Sequence, residues 1–357
     1  MKKISINIKI IDSADTRAWD AYVHAHPGAD LYHLSGWKDI IEKTYGHQTC
    51  YLAASNGSYS SITGLLPLVH LKHFLFGNSL ISIPFFDMGG ILADNRETEA
   101  ALLSKAIKLG QKLKCSSIEL RQTRPLVSLE TDSSVSHDVQ SHKVRMLLDL
   151  PDSSEALMKS FKSKLRSQIK KPIKEGLTAK VGGSELADDF YQVFLINMRD
   201  LGSPVHSRKI IENVMRTYRQ SARIVMVYKN KQPVAGSIMV GFRDTLENPW
   251  ASSLREYSRL SPNMLLYWTM LEYACDKGFK RFDFGRSTPD EGTWKFKKQW
   301  GSEANQLYWH YISLNGKQIK AESPEQSKFV KAIEYWQKLP VPVTKILGPV
   351  IRKHIGL

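Results

Sequence analysis

Residues 282–301 read FDFGRSTPDEGTWKFKKQWG, and the fold turns on them. Arg281-Phe282-Asp283-Phe284 alternates polar and apolar side chains and predicts a strand that ends at Gly285, a residue free to turn. Arg286, Ser287 and Thr288 leave the sheet edge as a polar cluster, and Pro289, Asp290 and Gly292 form a turn-rich gap. Trp294, Phe296 and Trp300 then interleave with Lys295, Lys297 and Lys298. Aromatic bodies wall a cleft while lysine heads stay at its mouth. Enzymes place charge-stabilising groups on such loops; a surface loop with tryptophan anchors and solvated lysines is the competing reading.

Working outward, Pro262–Lys277 predicts a helix with proline in its first turn, closed by Gly278 and feeding the strand Lys280–Gly285. Before it lie a hairpin, Arg223–Tyr228 and Val234–Phe242, and a strand over Trp250–Leu254. The first half repeats this order. It has a hairpin, Thr49–Ala54 and Ile62–Leu71, a helix over Thr98–Leu113 and a strand over Ser117–Arg121. Gly64 and Gly236, and then Glu119 and Asp283, recur at nearly constant spacing. Further expected elements are a strand over Ile4–Ile10, helices over Asp15–His26 and Trp37–Tyr45, an exposed loop over Thr131–Ser141, a strand over Val144–Leu150 and a last strand over Leu307–Leu314. The expected fold is α/β: two tandem domains, residues 1–150 and 151–320, each a mixed, mostly antiparallel sheet flanked by helices. A basic, amphipathic helical tail follows over 321–357.

The 357 residues carry 42% hydrophobic and 24% charged side chains, as an ordinary globular protein does. The net charge of +15 implies an anionic partner: nucleic acid, an anionic membrane surface or a phosphorylated substrate. Cys50, Cys115 and Cys275 lie far apart with no metal-ligand spacing, so no metal site is expected. The first ten residues alternate instead of forming an apolar signal, and no apolar run reaches about 18 residues. A cytoplasmic protein follows, with peripheral contact at the inner face of the cytoplasmic membrane as an option for the tail. There Trp336, Ile346, Leu347 and Val350 interleave with Lys338, Lys345 and Arg352. Packing of the tail onto the body is the alternative. Lys162, Lys164, Arg166 and Lys170 form a cationic segment that suits phosphates or simply a solvated face.

Several segments together resemble the FemAB-like family. They are Trp250 to Tyr257 (WASSLREY), Pro262-Asn263 with Leu265-Leu266-Tyr267-Trp268, Phe282 to Ser287, Phe296-Lys297 with Gln299-Trp300-Gly301, and Met198 to Pro204 (MRDLGSP). The likeness spans roughly residues 10 to 315 and is strongest to the subgroup associated with exosortase and PEP-CTERM exopolysaccharide systems. It implies two GNAT-like (acyl-CoA N-acyltransferase-like) domains and transfer of an aminoacyl group to an amine of a peptidoglycan, cell-envelope or exopolysaccharide precursor. By the same resemblance Lys297 matches the lysine of the transfer step. Asp87, in Pro84-Phe85-Phe86-Asp87, matches an acceptor-cleft motif, and Lys38, beside Trp37, approximates a phosphate-contacting lysine. The long coiled-coil insertion of some bridge-forming members is missing, and so is the glycine-rich pyrophosphate loop of acetyl-CoA enzymes; Arg259 to Asn263 stands in its place.

Amide formation from an activated ester needs a neutral amine, a polarised carbonyl and a route for one proton. Lys297 serves as oxyanion stabiliser if charged or as proton acceptor if neutral, and Arg286 offers a planar fork for a carboxylate or phosphate, or an ion pair with Asp283 or Asp290. The expected catalytic pair is Lys297 and Arg286. The expected substrate-binding set is Trp37, Lys38, Asp87, Gly89, Gly90, His206, Tyr257, Asn263, Tyr267, Ser287 and Trp294. No tightly bound cofactor is expected. The acyl donor, aminoacyl-tRNA or acyl-CoA, is a co-substrate and tRNA a candidate partner. The alternative functions are an acyl-CoA- or acyl-carrier-dependent N-acyltransferase, or a non-catalytic assembly or binding factor on anionic membrane or RNA.

Overall fold

The computed structural model describes residues 6–56, 61–74, 76–126, 136–316 and 327–356. The chain divides into two compact units, one of Met1–Val144, Gln306–Ala321 and His354–Leu357, the other of Arg145–Asn305 and Glu322–Lys353.

The first unit is built on strands β1 (Ile6–Ile10), β2 (Gln48–Asn56), β3 (Ile62–His73), β4 (Gly77–Ser82), β5 (Leu92–Ala93), β6 (Ser117–Gln122), β7 (His137–Gln140) and β15 (Tyr308–Ser313). Their order is β1-β2-β3-β4-β6-β15-β7, with β5 beside β3. Among the described residues its strands pair antiparallel except β4 with β6, which are parallel from Ser79↔Ser117 to Ile81↔Glu119. The helix Arg96–Lys112, capped by the Asn95 side chain, makes that parallel crossover and buries Leu102, Leu103 and Ala106 against Leu52, Leu66 and Leu120. Gly64 has to be glycine: a Cβ there would meet Thr98 Cγ2 at 2.6 Å and the Leu92 carbonyl at 3.0 Å.

The second unit orders β14 (Glu303–Gln306), β8 (Val144–Asp149), β13 (Arg281–Ser287), β12 (Thr245–Ser253), β11 (Gln232–Phe242), β10 (Ala222–Lys229) and β9 (Leu177–Gly182). Strands β9 to β12 run antiparallel, and β12 and β13 are parallel from Thr245↔Arg281 to Glu247↔Asp283. The crossover is the helix Pro262–Asp276, apolar on most sides and correspondingly buried. Each sheet therefore has four antiparallel strands, a helical crossover and a parallel fifth strand. The two tandem GNAT-like domains that the resemblance implies are present.

The sixth strand of each sheet departs from the expected division. β8, expected with the first domain, lies beside β13, and β15, expected to close the second domain, pairs with β6 and β7. The expected range 1–150 thus takes in β8, which belongs to the second sheet, and 151–320 takes in β15, which belongs to the first. Residues 131–135 of the expected loop lie outside the described residues, whereas His137–Gln140 within it is strand β7. β9 had no sequence signal either. Its Thr178, Ala179 and Lys180 are all exposed, as an edge strand allows, so no alternation marks it.

The tail forms two helices, Ser327–Lys338 and Val341–Arg352. Both pack against the helix Ala187–Asp200 and the loop after it. Gln337 donates to the Asp200 carbonyl, Arg199 to that of Leu339, and Gly348 fits beside Val205.

Candidate active site

The last pair of the parallel ladder in the second unit sets two carboxylates opposite each other, Glu247 and Asp283, both nearly fully buried. Two like charges there would repel. Arg145, on β8, sits between them: Nε lies 2.7 Å from Asp283 Oδ2, and Nη2 is 3.6 Å from Glu247 Oε1. The other Asp283 oxygen accepts from Gly285 N at 2.7 Å. Arg145 thus takes the Asp283 carboxylate. Beyond this pair β12 continues alongside β11 to Ser253, while β13 runs on to Ser287 with no further β12 partner.

The chain turns at Gly285 (φ +75°) but remains in strand to Ser287, two residues further than expected. Residues Gly292–Lys298 are helical. The aromatic–lysine alternation read as a cleft wall is a helix on which Trp294 and Lys298, and Phe296 and Trp300, meet four residues apart. Lys298 Nζ lies 4.3 Å over the Trp294 ring, and Phe296 and Trp300 meet edge-on at 6.3 Å. The turn of helix points Lys297 inward. It is 8% exposed, and its Nζ donates to the carbonyls of Arg286 (2.7 Å) and Gly285 (3.2 Å). Ser302 Oγ donates to the Lys297 carbonyl, tying the helix end to the chain beyond it.

Around this lysine stand several of the expected residues. Ser287 is buried, and its Oγ has no hydrogen-bond partner among the described residues. Tyr267 stacks on Phe284 (5.6 Å) and meets Phe296 edge-on (5.0 Å). Burial pushes its hydroxyl up to about 12, against the opposing pull of an Asn248 hydrogen bond. Asn248 in turn accepts from Ser237 Oγ at 2.7 Å. Asn263, second residue of the Pro262–Asp276 helix, and Tyr257 in the preceding turn are half-buried, as are Arg286 and Trp294.

The cationic segment divides. The helix Ser163–Lys174 buries Leu165, Ile169 and Pro172, at helical spacing, and turns its lysines outward. Lys162 and Lys164 join Lys298 on the rim of a cavity of about 940 Å³ whose apolar side includes Phe161, Leu165 and Trp300 and whose one carboxylate is Asp149. Lys170 is exposed away from that lining, and Arg166 donates to the Lys159 carbonyl.

Other expected residues are packing groups. His206 is buried, its ring 6.4 Å from that of Phe194, and its Nε2 accepts from Arg352 Nε at 3.0 Å. Burial and the Arg352 charge hold its pKa well below the ordinary value, so it is a neutral core imidazole. In the first unit Trp37 is fully buried, donates to the Leu31 carbonyl and meets Phe86 at 4.4 Å. Lys38 pairs with Glu42 one helical turn on, at 3.0 Å. Gly89 and Gly90 were expected to let a ligand approach. Instead Tyr32 closes over the first, and Gln122 with the Arg121 carbonyl over the second, leaving no room for a Cβ. Asp87 is half-buried, and its carbonyl accepts from Trp309 Nε1 at 3.1 Å.

Sequence reading missed Arg145 and Glu247. The available signal was an arginine inside an alternating apolar strand, Val144-Arg145-Met146, and a glutamate among β-formers at Leu246-Glu247.

Residues 159–298 match the acetyltransferase (GNAT) domain family. The solved structure of FemX has a TM-score of 0.66 to this chain at 17% identity, covering 85% of this chain and 96% of that one. The chain carries a GNAT domain and has the fold of FemX. It is also similar to the Lipid II:glycine glycyltransferase of Staphylococcus epidermidis, 19% identical over 79% of this chain and 87% of the relative. A tandem GNAT protein from the clavulanic acid biosynthesis pathway shares its fold, with a TM-score of 0.57 and 10% identity over 88% of this chain and 100% of that one. Among the described residues no group of His, Cys, Asp or Glu could hold a metal ion, and no helix is long and apolar enough to cross a membrane.

Proposed function

We propose that this protein transfers an aminoacyl group from an activated ester to an amino group of a cell-envelope precursor, with Lys297 as the charge-stabilising residue. The observation that carries the reading is the hold on Lys297 Nζ by the Gly285 and Arg286 carbonyls, where β13 runs on past its pairing with β12. Carbonyl oxygens accept from an ammonium, so this environment favours a fixed positive charge over a proton-accepting amine. The neutral acceptor amine attacks the ester carbonyl and forms the amide C–N bond. The tetrahedral oxyanion is stabilised by Lys297 and collapses, the ester C–O bond breaks, and the departing alkoxide takes the proton shed by the amine. Arg286 and the rim cations Lys162, Lys164 and Lys298 favour an anionic donor or acceptor.

The likeness to a protein named Lipid II:glycine glycyltransferase supports an aminoacyl donor and a peptidoglycan-type acceptor. An exopolysaccharide precursor handled in a PEP-CTERM setting, at the inner face of the cytoplasmic membrane, belongs to the same proposal. Donor choice is tested by the unfolding midpoint of the purified protein with charged tRNA, uncharged tRNA, acetyl-CoA and a longer acyl-CoA, since a ligand of the native state raises it by mass action. A rise specific to charged tRNA, with label appearing on an amine acceptor, is the expected result. A rise with acyl-CoA alone makes acyl-CoA the donor. Binding without transfer from any donor would overturn the enzymatic reading in favour of an assembly factor.

A further inference from the structure

The tail helix Val341–Arg352 has two unlike faces. Its inner face is packed: Thr344 and Gly348 are buried, and a Cβ on Gly348 would come within 3.0 Å of Val205 N. The outer face is apolar. Val343, Ile346, Leu347 and Val350, at helical i, i+3, i+4 and i+7, are 37, 71, 44 and 57% exposed. Contiguous apolar side chains left in water on a helix mark a surface that is covered in use.

The charges of the tail say by what. Lys331, Lys338 and Lys345 are exposed, and across residues 330–353 the one carboxylate is Glu334. Tyr335, 72% exposed, lies beside Lys338, whose Nζ is 6.0 Å from its ring. An exposed aliphatic face on a tail that also exposes lysines and a tyrosine matches an anionic bilayer surface, which takes the apolar face between its headgroups and attracts the cations. A second copy of this chain fits less well. A two-fold contact through the same face would set lysines of both copies near one another.

We infer that the outer face of Val341–Arg352 seats the protein on an anionic lipid surface. This deepens the proposed function by locating the enzyme where a lipid-carried acceptor resides, and it stands on the tail alone. The test is flotation of the full chain with vesicles of phosphatidylcholine, with and without phosphatidylglycerol. The full chain should float with the phosphatidylglycerol vesicles. Ile346→Glu combined with Val350→Glu should lower that partitioning about tenfold or more, because two exposed apolar anchors are lost. Lys338→Gln and Lys345→Gln should each lower it about fivefold, on phosphatidylglycerol vesicles only. All these positions are exposed, so unfolding midpoints and transfer to a water-soluble amine acceptor should not change. Flotation of the double variant equal to the natural chain would overturn the inference. So would a failure of the natural chain to float, together with a dimer in light scattering that Ile346→Glu dissociates. Lost transfer with intact flotation would count against the proposed reaction, not against this surface.

Discussion

Arg145 Nε lies 2.7 Å from Asp283 Oδ2, at the residue pair where the parallel ladder of the second sheet ends. The first sheet has the same device from different parts. Its ladder ends at Glu119, and Arg121 Nε lies 2.8 Å from Glu119 Oε1. An acid closing a parallel ladder, answered by an arginine, therefore recurs in both repeats. In the second it stands two residues before the carbonyls that hold Lys297.

Arg145→Ala should strip two buried carboxylates of their cation and cost about 3–5 kcal/mol, read as a lower denaturant midpoint of the second unit. Lys280→Ala, which breaks an exposed pair with Asp152, should leave that midpoint where it is. Equal effects of the two would refute the role given to Arg145.

Lys297→Met keeps the hydrocarbon and deletes the charge. The expected loss in kcat is on the order of 10²–10³, with KM nearly unchanged, as for removal of one oxyanion donor. A rise in KM at constant kcat would make Lys297 a ground-state binding residue instead.

Acid should weaken the first unit through His310. Its Nε2 accepts from Leu126 N, and burial, with the nearby His137, holds its pKa down at about 4 against the ordinary 6.5. Below pH 6.5 the unfolded chain binds a proton that the folded one refuses, so stability is full above 6.5 and falls as pH drops toward 4. The loss across that window is on the order of 3 kcal/mol. His206, shifted the same way, gives the second unit a loss of the same sign. His310→Gln should flatten this slope in urea midpoints measured from pH 7 to 4; an unchanged slope would count against it.

Gly202 (φ +74°) lies under Ile333 of the tail, in contact with the place a Cβ would take. Gly202→Ala forces both an unfavourable backbone and a clash, a cost of about 1–3 kcal/mol. It should show as faster hydrogen exchange over residues 330–352 with the sheet unaffected. Deleting the whole tail would be a poorer probe, because it uncovers Gly202, Val205 and His206 together.

Local patterns carry local structure, and those were legible. The hairpins over β2–β3 and β10–β11, the crossover helix stopped at Gly278 and the recurrence of Gly64 in Gly236 follow from side-chain period and backbone freedom, which act over a few residues. The period itself failed over Trp294–Trp300. Trp294 and Phe296 fit a strand, Phe296 and Trp300 a helix, and a stretch that short satisfies both.

By itself the sequence determined two α/β repeats, a basic amphipathic tail, and a lysine between aromatics after an acid-bearing strand. Only the tertiary structure decided which sheet β8 and β15 join, since nothing within a strand names its neighbour; the partner is fixed by pairing across long loops. That choice brings Arg145 to Asp283 and Trp309 to the Asp87 carbonyl. It likewise decided that Trp37, Gly90 and His206 serve packing while Lys297 is turned inward onto two carbonyls. Burial is a property of the assembled fold, and a polar residue's role depends on what surrounds it.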